Sequence, residues 1–119
     1  MVVAVTAKTS KPDSEVEPRF GRAAFFHVID TETGNIEVIE NIENVHAMQG
    51  AGIQSADKVA SRKVDVLLTG HCGPKAFQVL KTAGIKIVVG VDGAVKEAVE
   101  KLKNNEYEYA DSYDVEAHW

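Results

Sequence analysis

Apolar residues fall in short runs separated by polar or glycine-containing turns, and beyond about residue 50 these runs alternate with stretches of helical period. Val2-Val3-Ala4-Val5-Thr6-Ala7 is apolar and β-branched almost throughout, the pattern of a central strand covered on both faces. The long polar stretch from Lys8 to Pro18, with two prolines, predicts a loop of functional length, closed by Arg19-Phe20-Gly21-Arg22. Ala24 to Asp30 is rich in aromatic and β-branched residues and predicts a second strand. Thr31-Glu32-Thr33-Gly34-Asn35 predicts a hairpin turn, and Ile36 to Glu40 alternates apolar and charged as an edge strand does. His27 shares a strand face with Phe25 and Ile29 and reads as a packed core histidine.

Asn41 to Gly50 reads as a second loop running into Gly50-Ala51-Gly52. Ile53, Ala56, Val59, Ala60 and Lys63 then recur at helical spacing, and Lys58, Arg62 and Lys63 put positive charge at the helix end. Val64 to Thr69 predicts a buried strand. Pro74 to Thr82 predicts a helix with Phe77 and Leu80 inward and Gly84 as its stop. Ile85 to Val89 predicts a fifth strand. Asp92 is placed to cap a last helix running to about Lys103, with Val95, Val99 and Leu102 as its buried stripe. The order β-β-β-α-β-α-β-α therefore predicts an α/β fold with right-handed crossovers in its second half. The expected architecture is a three-layer α/β/α ribonuclease-H-like domain with a mixed five-stranded sheet in the order 3-2-1-4-5, strand 2 antiparallel to its neighbours. That domain covers residues 1–107, and residues 108–119 form an acidic, aromatic C-terminal tail.

Composition narrows the function classes. The formal charge of −5 argues against a general nucleic-acid binder, and no window holds the run of ~18 apolar residues needed to span a membrane. A single cysteine cannot form an internal disulfide, and Met1 to Val5 runs into a strand without a basic leader. A cytoplasmic protein is the expectation.

In an open α/β sheet, ligands sit beyond the C-terminal ends of the parallel strands where the strand order switches, here between strands 1 and 4. The long loop with Arg19 and Arg22 arrives there, as does Gly70-His71-Cys72-Gly73-Pro74. The helix start at His46 to Gly52 and the Gly90-Val91-Asp92-Gly93 turn reach the same edge. Two or three helix N-termini would converge with Arg19, Arg22 and Lys11, and an anion is the expected occupant. Gly50, Gly52, Gly70 and Gly73 would let it approach backbone N–H groups. No Walker A or G-x-G-x-x-G pattern is present. Cys72 at a helix start is a candidate soft ligand, with an inert small core residue as the alternative. Cys/His spacing is too sparse for a closed zinc site, and an anionic metal–sulfur cluster fits the pattern better.

Pro18-Arg19-Phe20-Gly21-Arg22-Ala23, the Gly50-Ala51-Gly52 helix start, Thr69-Gly70-x-x-Gly73-Pro74-Lys75-Ala76-Phe77 and Leu80-x-x-x-Gly84-Ile85-Lys86, in this order, resemble the dinitrogenase iron–molybdenum cofactor biosynthesis family. That family includes NifX-like accessory proteins, the NifB C-terminal domain and small relatives outside nitrogen fixation. The resemblance spans Val2 to about Tyr107. It implies a ribonuclease-H-like fold and a non-enzymatic metallocluster carrier for an iron–sulfur or molybdenum-containing sulfur cluster, working between cluster donor and acceptor proteins. It implies His46 as the first position for cluster contact, with Arg19, Arg22, Gly50, Gly52, Gly70, His71 and Gly73 lining the site and Cys72 as a second possible metal ligand. Two other classes stay open: a small-anion or nucleotide-binding regulatory domain, and a metal-dependent phosphotransfer enzyme. The last needs clustered carboxylates, for which only Asp13, Glu15 and Asp92 stand near the right edge.

Overall fold

The computed structural model describes residues 1–45 and 50–115. Five strands form one sheet: β1 (Val2–Ala7), β2 (Phe25–Asp30), β3 (Ile36–Glu40), β4 (Val66–Leu68) and β5 (Lys86–Val88). Their order is β3-β2-β1-β4-β5, as the alternation of elements predicts. β1 pairs antiparallel with β2 and parallel with β4, β2 pairs antiparallel with β3, and β4 pairs parallel with β5. The apolar runs flanking β4 and β5 extend further than the strands themselves, because Val64 and Ile85 are buried in the turns that lead into them.

Among the described residues, four α-helices complete the three layers: α1 (Ile42–Val45), α2 (Ala51–Ala60), α3 (Pro74–Thr82) and α4 (Val95–Lys103). The sheet face carrying Ala4, Phe26, Val28 and Leu67 packs with Ala56, Val59, Phe77 and Leu80 of α2 and α3. The opposite face, carrying Val3, Val5, Leu68 and Val88, packs with Val95, Ala98, Val99 and Leu102 of α4. The central strand β1 is thus covered on both sides, which is why its sequence shows no polar alternation. His27 is buried as expected, its Nε2 at 2.8 Å from the Thr9 carbonyl oxygen.

Local chemistry explains the helix boundaries. Gly50 precedes α2 with φ 77°, a left-handed conformation that glycine adopts without steric cost. Pro74 occupies the first turn of α3, where its missing N–H costs nothing. At the other end of α3, Gly84 N–H donates to Lys81 O (2.9 Å) and Ile85 N–H to Leu80 O (3.0 Å), with Gly84 at φ 81°. This is a Schellman stop, and the buried Leu80 and Ile85 supply its apolar contact. Asn105, at φ 59°, ends α4 the same way, with Glu106 N–H bonded to Lys101 O at 3.0 Å.

Three expectations change. The stretch after Asn41 is not all loop: α1 forms one turn there, with Asn44 buried and Ile42 exposed. The apolar stripe of α2 ends at Ala60, because Lys63 has φ 56° and lies past the helix in a turn. Ala94, not Asp92, is the N-cap of α4. The first free N–H of that helix, at Val95, is taken by the Ser14 carbonyl at 3.0 Å, and Ala94 supplies no side-chain cap.

Candidate functional site

The loop after β1 folds back on itself before reaching the crevice. Lys8 N–H donates to Glu15 O (3.0 Å), Glu17 N–H to Thr6 O (2.9 Å), and Val16 N–H to Gly93 O (2.8 Å). The N-terminus of α4 is therefore covered by this loop rather than open toward an anion. Lys11 sits exposed at the loop's turn. The floor of the crevice is polar but closed: Thr6 Oγ1 lies 3.1 Å from Thr69 Oγ1 and donates to Glu17 O at 2.7 Å, and both threonines are fully buried.

From Pro18 the chain runs across the end of β4. His71 N–H donates to Pro18 O (2.7 Å) and Phe20 N–H to His71 O (3.2 Å), a short parallel bridge that places Arg19 beside His71. Gly70 makes this crossing possible. A Cβ there would stand 2.6 Å from both the Cα and the carbonyl oxygen of Pro18. A 3-10 turn, Phe20–Arg22, follows and packs on the start of α2, where a Cβ on Gly21 would come within 3.1 Å of the Gly52 backbone nitrogen. Gly52 in turn lies against Ala76 of α3, with 3.3 Å between a Cβ there and the Ala76 Cβ. Gly21, Gly52 and Gly70 thus serve backbone-on-backbone packing between the crevice walls. The start of α4, covered by the loop after β1, drops out of the expected convergence of helix N-termini.

Arg22 is tied to the same region, its Nη1 donating to the Val45 carbonyl at 2.7 Å, immediately before His46. His46 itself lies outside the described residues. Asn41 binds the walls from beneath. Its amide donates to Ala23 O (2.8 Å) and Ser55 Oγ (3.0 Å), and its oxygen accepts from Asn44 Nδ2 (2.8 Å), with all three side chains buried. Sequence reasoning did not single out Asn41 and Asn44. Two asparagines three residues apart, following a strand, were the available signal for a local turn network.

At the start of α3 the two chemistry-bearing residues point different ways. The His71 side chain is 40 % exposed, and its Nδ1 lies 2.7 Å from Asp114 Oδ2. Cys72 is fully buried in the core cluster under α2 and α3, and burial, then the nearby Asp114 carboxylate, pushes its thiol up to about 12. Its backbone N–H instead faces the crevice and donates to Asp114 Oδ1 at 2.7 Å. Asp114 N–H returns a bond to Cys72 O at 3.2 Å. A tail carboxylate is therefore seated at the N-terminal end of α3, where the helix field favours negative charge.

The raised thiol has a measurable consequence. Between the unfolded value near 9 and the folded value near 12, the native state holds a proton that the unfolded chain has released. Stability should fall with rising pH in that window, by up to ~1.4 kcal/mol per unit from this group. Urea midpoints measured at pH 8, 9 and 10 for the protein and for Cys72→Ala should show a steeper decline for the protein. Parallel slopes would mean that the thiol is not held neutral by the fold.

Among the described residues, no group of three or more His, Cys, Asp or Glu side chains is placed to hold a metal ion. Asp65 lies at the opposite end of the sheet, its Oδ2 accepting from Val2 N–H at 2.8 Å, and the carboxylate cluster of two-metal phosphotransfer is not formed among the described residues. No helix among them is long and apolar enough to cross a membrane.

A mixed five-stranded sheet in the order β3-β2-β1-β4-β5, with helices on both faces, defines a three-layer α/β/α fold of the ribonuclease-H-like kind. Residues 1–105 match the dinitrogenase iron–molybdenum cofactor family, and the chain belongs to it. It is 40 % identical to the orange protein of Desulfovibrio gigas, whose apo form superimposes with a TM-score of 0.92 over 96 % of each chain. A Thermotoga protein provisionally described as NifB is 32 % identical, with a TM-score of 0.83 over 97 % of each chain. An uncharacterized protein of Methanocaldococcus jannaschii is 31 % identical over 90 residues, which is 74 % of this chain and 76 % of that one.

Proposed function

We propose that this protein binds and carries an anionic metal–sulfur cluster, or an iron–molybdenum-type cofactor precursor, without catalysing a reaction on it. The observation that carries this reading is the seat at the start of α3, where the Cys72 N–H and the His71 ring draw in a carboxylate from the far end of the chain. A site that orders an anion through a backbone N–H, an imidazole and the positive end of a helix suits a cargo whose charge is spread over sulfur atoms. Family membership supports the cargo class, and the likeness to a protein described both as orange and in an apo form supports a bound coloured group.

The side-chain roles follow. Arg19 and His71 flank the seat, and Gly73 leads into the helix whose N-terminus faces it. Gly50, Gly52 and Gly70 act one step back, by letting the walls close. Arg22 holds the backbone that delivers His46, and His46 is the first metal ligand to test. Cys72 contributes its N–H, with the thiol kept as core. The partners are a cluster donor and a cluster acceptor protein, in the cytoplasm.

Anaerobic reconstitution with iron or molybdate plus sulfide, followed by desalting, should leave visible charge-transfer absorption on the protein. His46→Ala and His71→Ala should weaken it several-fold, and Cys72→Ala should retain it if the fold survives. A colourless protein with no retained metal would overturn the proposal. Calorimetry against phosphate and a nucleoside triphosphate separates a small-anion sensor, which would bind one of these in preference to a thiometallate.

A further inference from the structure

The tail beyond α4 does more than end the chain. We propose that residues 108–115 are a self-seated strap, whose Asp114 carboxylate holds the place of the incoming anion and must leave before cargo can enter. This rests on the reading of the crevice as an anion site.

Asp114 engages the seat with both carboxylate oxygens and its backbone N–H. Oδ1 accepts from the Cys72 N–H (2.7 Å), Oδ2 lies against His71 Nδ1 (2.7 Å), and its own N–H donates to Cys72 O (3.2 Å). The rest of the strap is held lightly. Ala110 donates one backbone bond to Ile87 O (2.7 Å) and packs against the core, while Tyr109 and Tyr113 remain 48 % and 44 % exposed. No helix or strand stabilises residues 106–115. Among the described residues the strap buries little apolar surface, which lowers the cost of local opening, and Asp114 and Ala110 bond it to the domain. The strap lies beyond residues 1–105, the part that matches the family. Glu108 and Asp111 add negative charge to the same segment, and an anion entering with the strap closed would meet it.

The consequence is competition within one molecule. Apparent cargo affinity is the open-state affinity multiplied by the fraction of time the strap is open, and each binding event releases the strap. A partner that takes hold of the freed tail, with its two exposed tyrosines, would favour loading; return of Asp114 would favour discharge.

Tetrathiomolybdate, a coloured sulfur-bearing dianion, serves as the probe. Its anaerobic titration into the full chain, Asp114→Ala and Asp114→Asn should give roughly fivefold or tighter binding to both variants, from loss of the charged competitor. In the unaltered protein, saturation should speed hydrogen exchange at the Ala110 and Asp114 amides. Equal or weaker binding by the variants, or unchanged exchange at those amides on saturation, overturns the strap while leaving the anion site standing. Absence of binding in all three proteins overturns the anion site and the strap with it. Asp114→Asn keeps a hydrogen-bonding side chain, so it decides the question if Asp114→Ala unfolds.

Discussion

Gly70→Ala should destabilise the protein by about 3 kcal/mol or more, among the larger effects expected of any single methyl group in this chain. The added Cβ would stand 2.6 Å from the Cα and from the carbonyl oxygen of Pro18, and neither is the movable end of a flexible side chain. Relief requires the Pro18 segment to lift, which breaks the bonds from His71 N–H to Pro18 O and from Phe20 N–H to His71 O. Phe20, buried against Phe26 with ring centroids 5.7 Å apart, would be pulled from the core with it. The informative control is Gly84→Ala. That position has φ 81° and nothing within 4 Å of a Cβ, so its cost is conformational only, about 1–2 kcal/mol. Thermal unfolding should separate the two, with a drop of roughly 10 °C for Gly70→Ala and clearly less for Gly84→Ala. If Gly70→Ala is as stable as the parent, the close crossing of the two loops is not part of the folded state. Under the proposed function the same variant should also load cargo poorly, since the crossing carries Arg19 to its place beside His71.

The sheet was legible because each of its five strands announces itself locally. β1 is apolar but for Thr6, whereas β3 mixes apolar with charged residues and is exposed except at Ile39, as suits a central and an edge strand. Strand order also set where the loops after β1 and β4 meet. What the sequence could not show was how the crevice is closed. Gly52 and Gly70 read as openings for a ligand, but Gly70 packs on Pro18 and Gly52 on Gly21 and Ala76. A glycine's missing side chain looks the same in sequence whether a ligand or another backbone fills the space. Cys72 was ambiguous for a related reason: in the turn before a helix, its side chain and its N–H point to opposite sides, and only the fold decides which one the crevice receives. Asp114 was invisible as a site residue because the contact spans more than forty positions and the tail has no period to place it.

One consequence is that the crevice owes its shape to polar anchoring beneath it as much as to the residues that line it. Arg22 fixes the Val45 carbonyl, and Asn41 fixes the Ala23 carbonyl and Ser55 of α2. The walls carrying Arg19 to Arg22 and Gly50 to Gly52 meet through that buried asparagine.

Asn41→Ala should therefore cost about 2–4 kcal/mol, the second large effect expected. The side chain is fully buried and uses both amide hydrogens and its oxygen, so truncation leaves the Ala23 carbonyl, Ser55 Oγ and Asn44 Nδ2 short of partners at once. Ser55→Ala removes only one of these bonds and should cost about 1 kcal/mol. Asn41→Asp keeps the shape but replaces two donors with acceptors facing a carbonyl and a hydroxyl, and it should be at least as harmful as alanine. Urea unfolding of the three variants checks the order. A change below about 0.5 kcal/mol for Asn41→Ala would mean that the network is not formed or that water replaces it without loss. Because the lost bonds join two walls of the crevice, hydrogen exchange should rise at the start of α2 before the core of the sheet is affected. Cargo retention should fall even at temperatures where the variant stays folded. A variant that loses stability but holds its cargo as tightly as the parent would show that the Arg19–Arg22 wall and the α2 wall do not act together in binding.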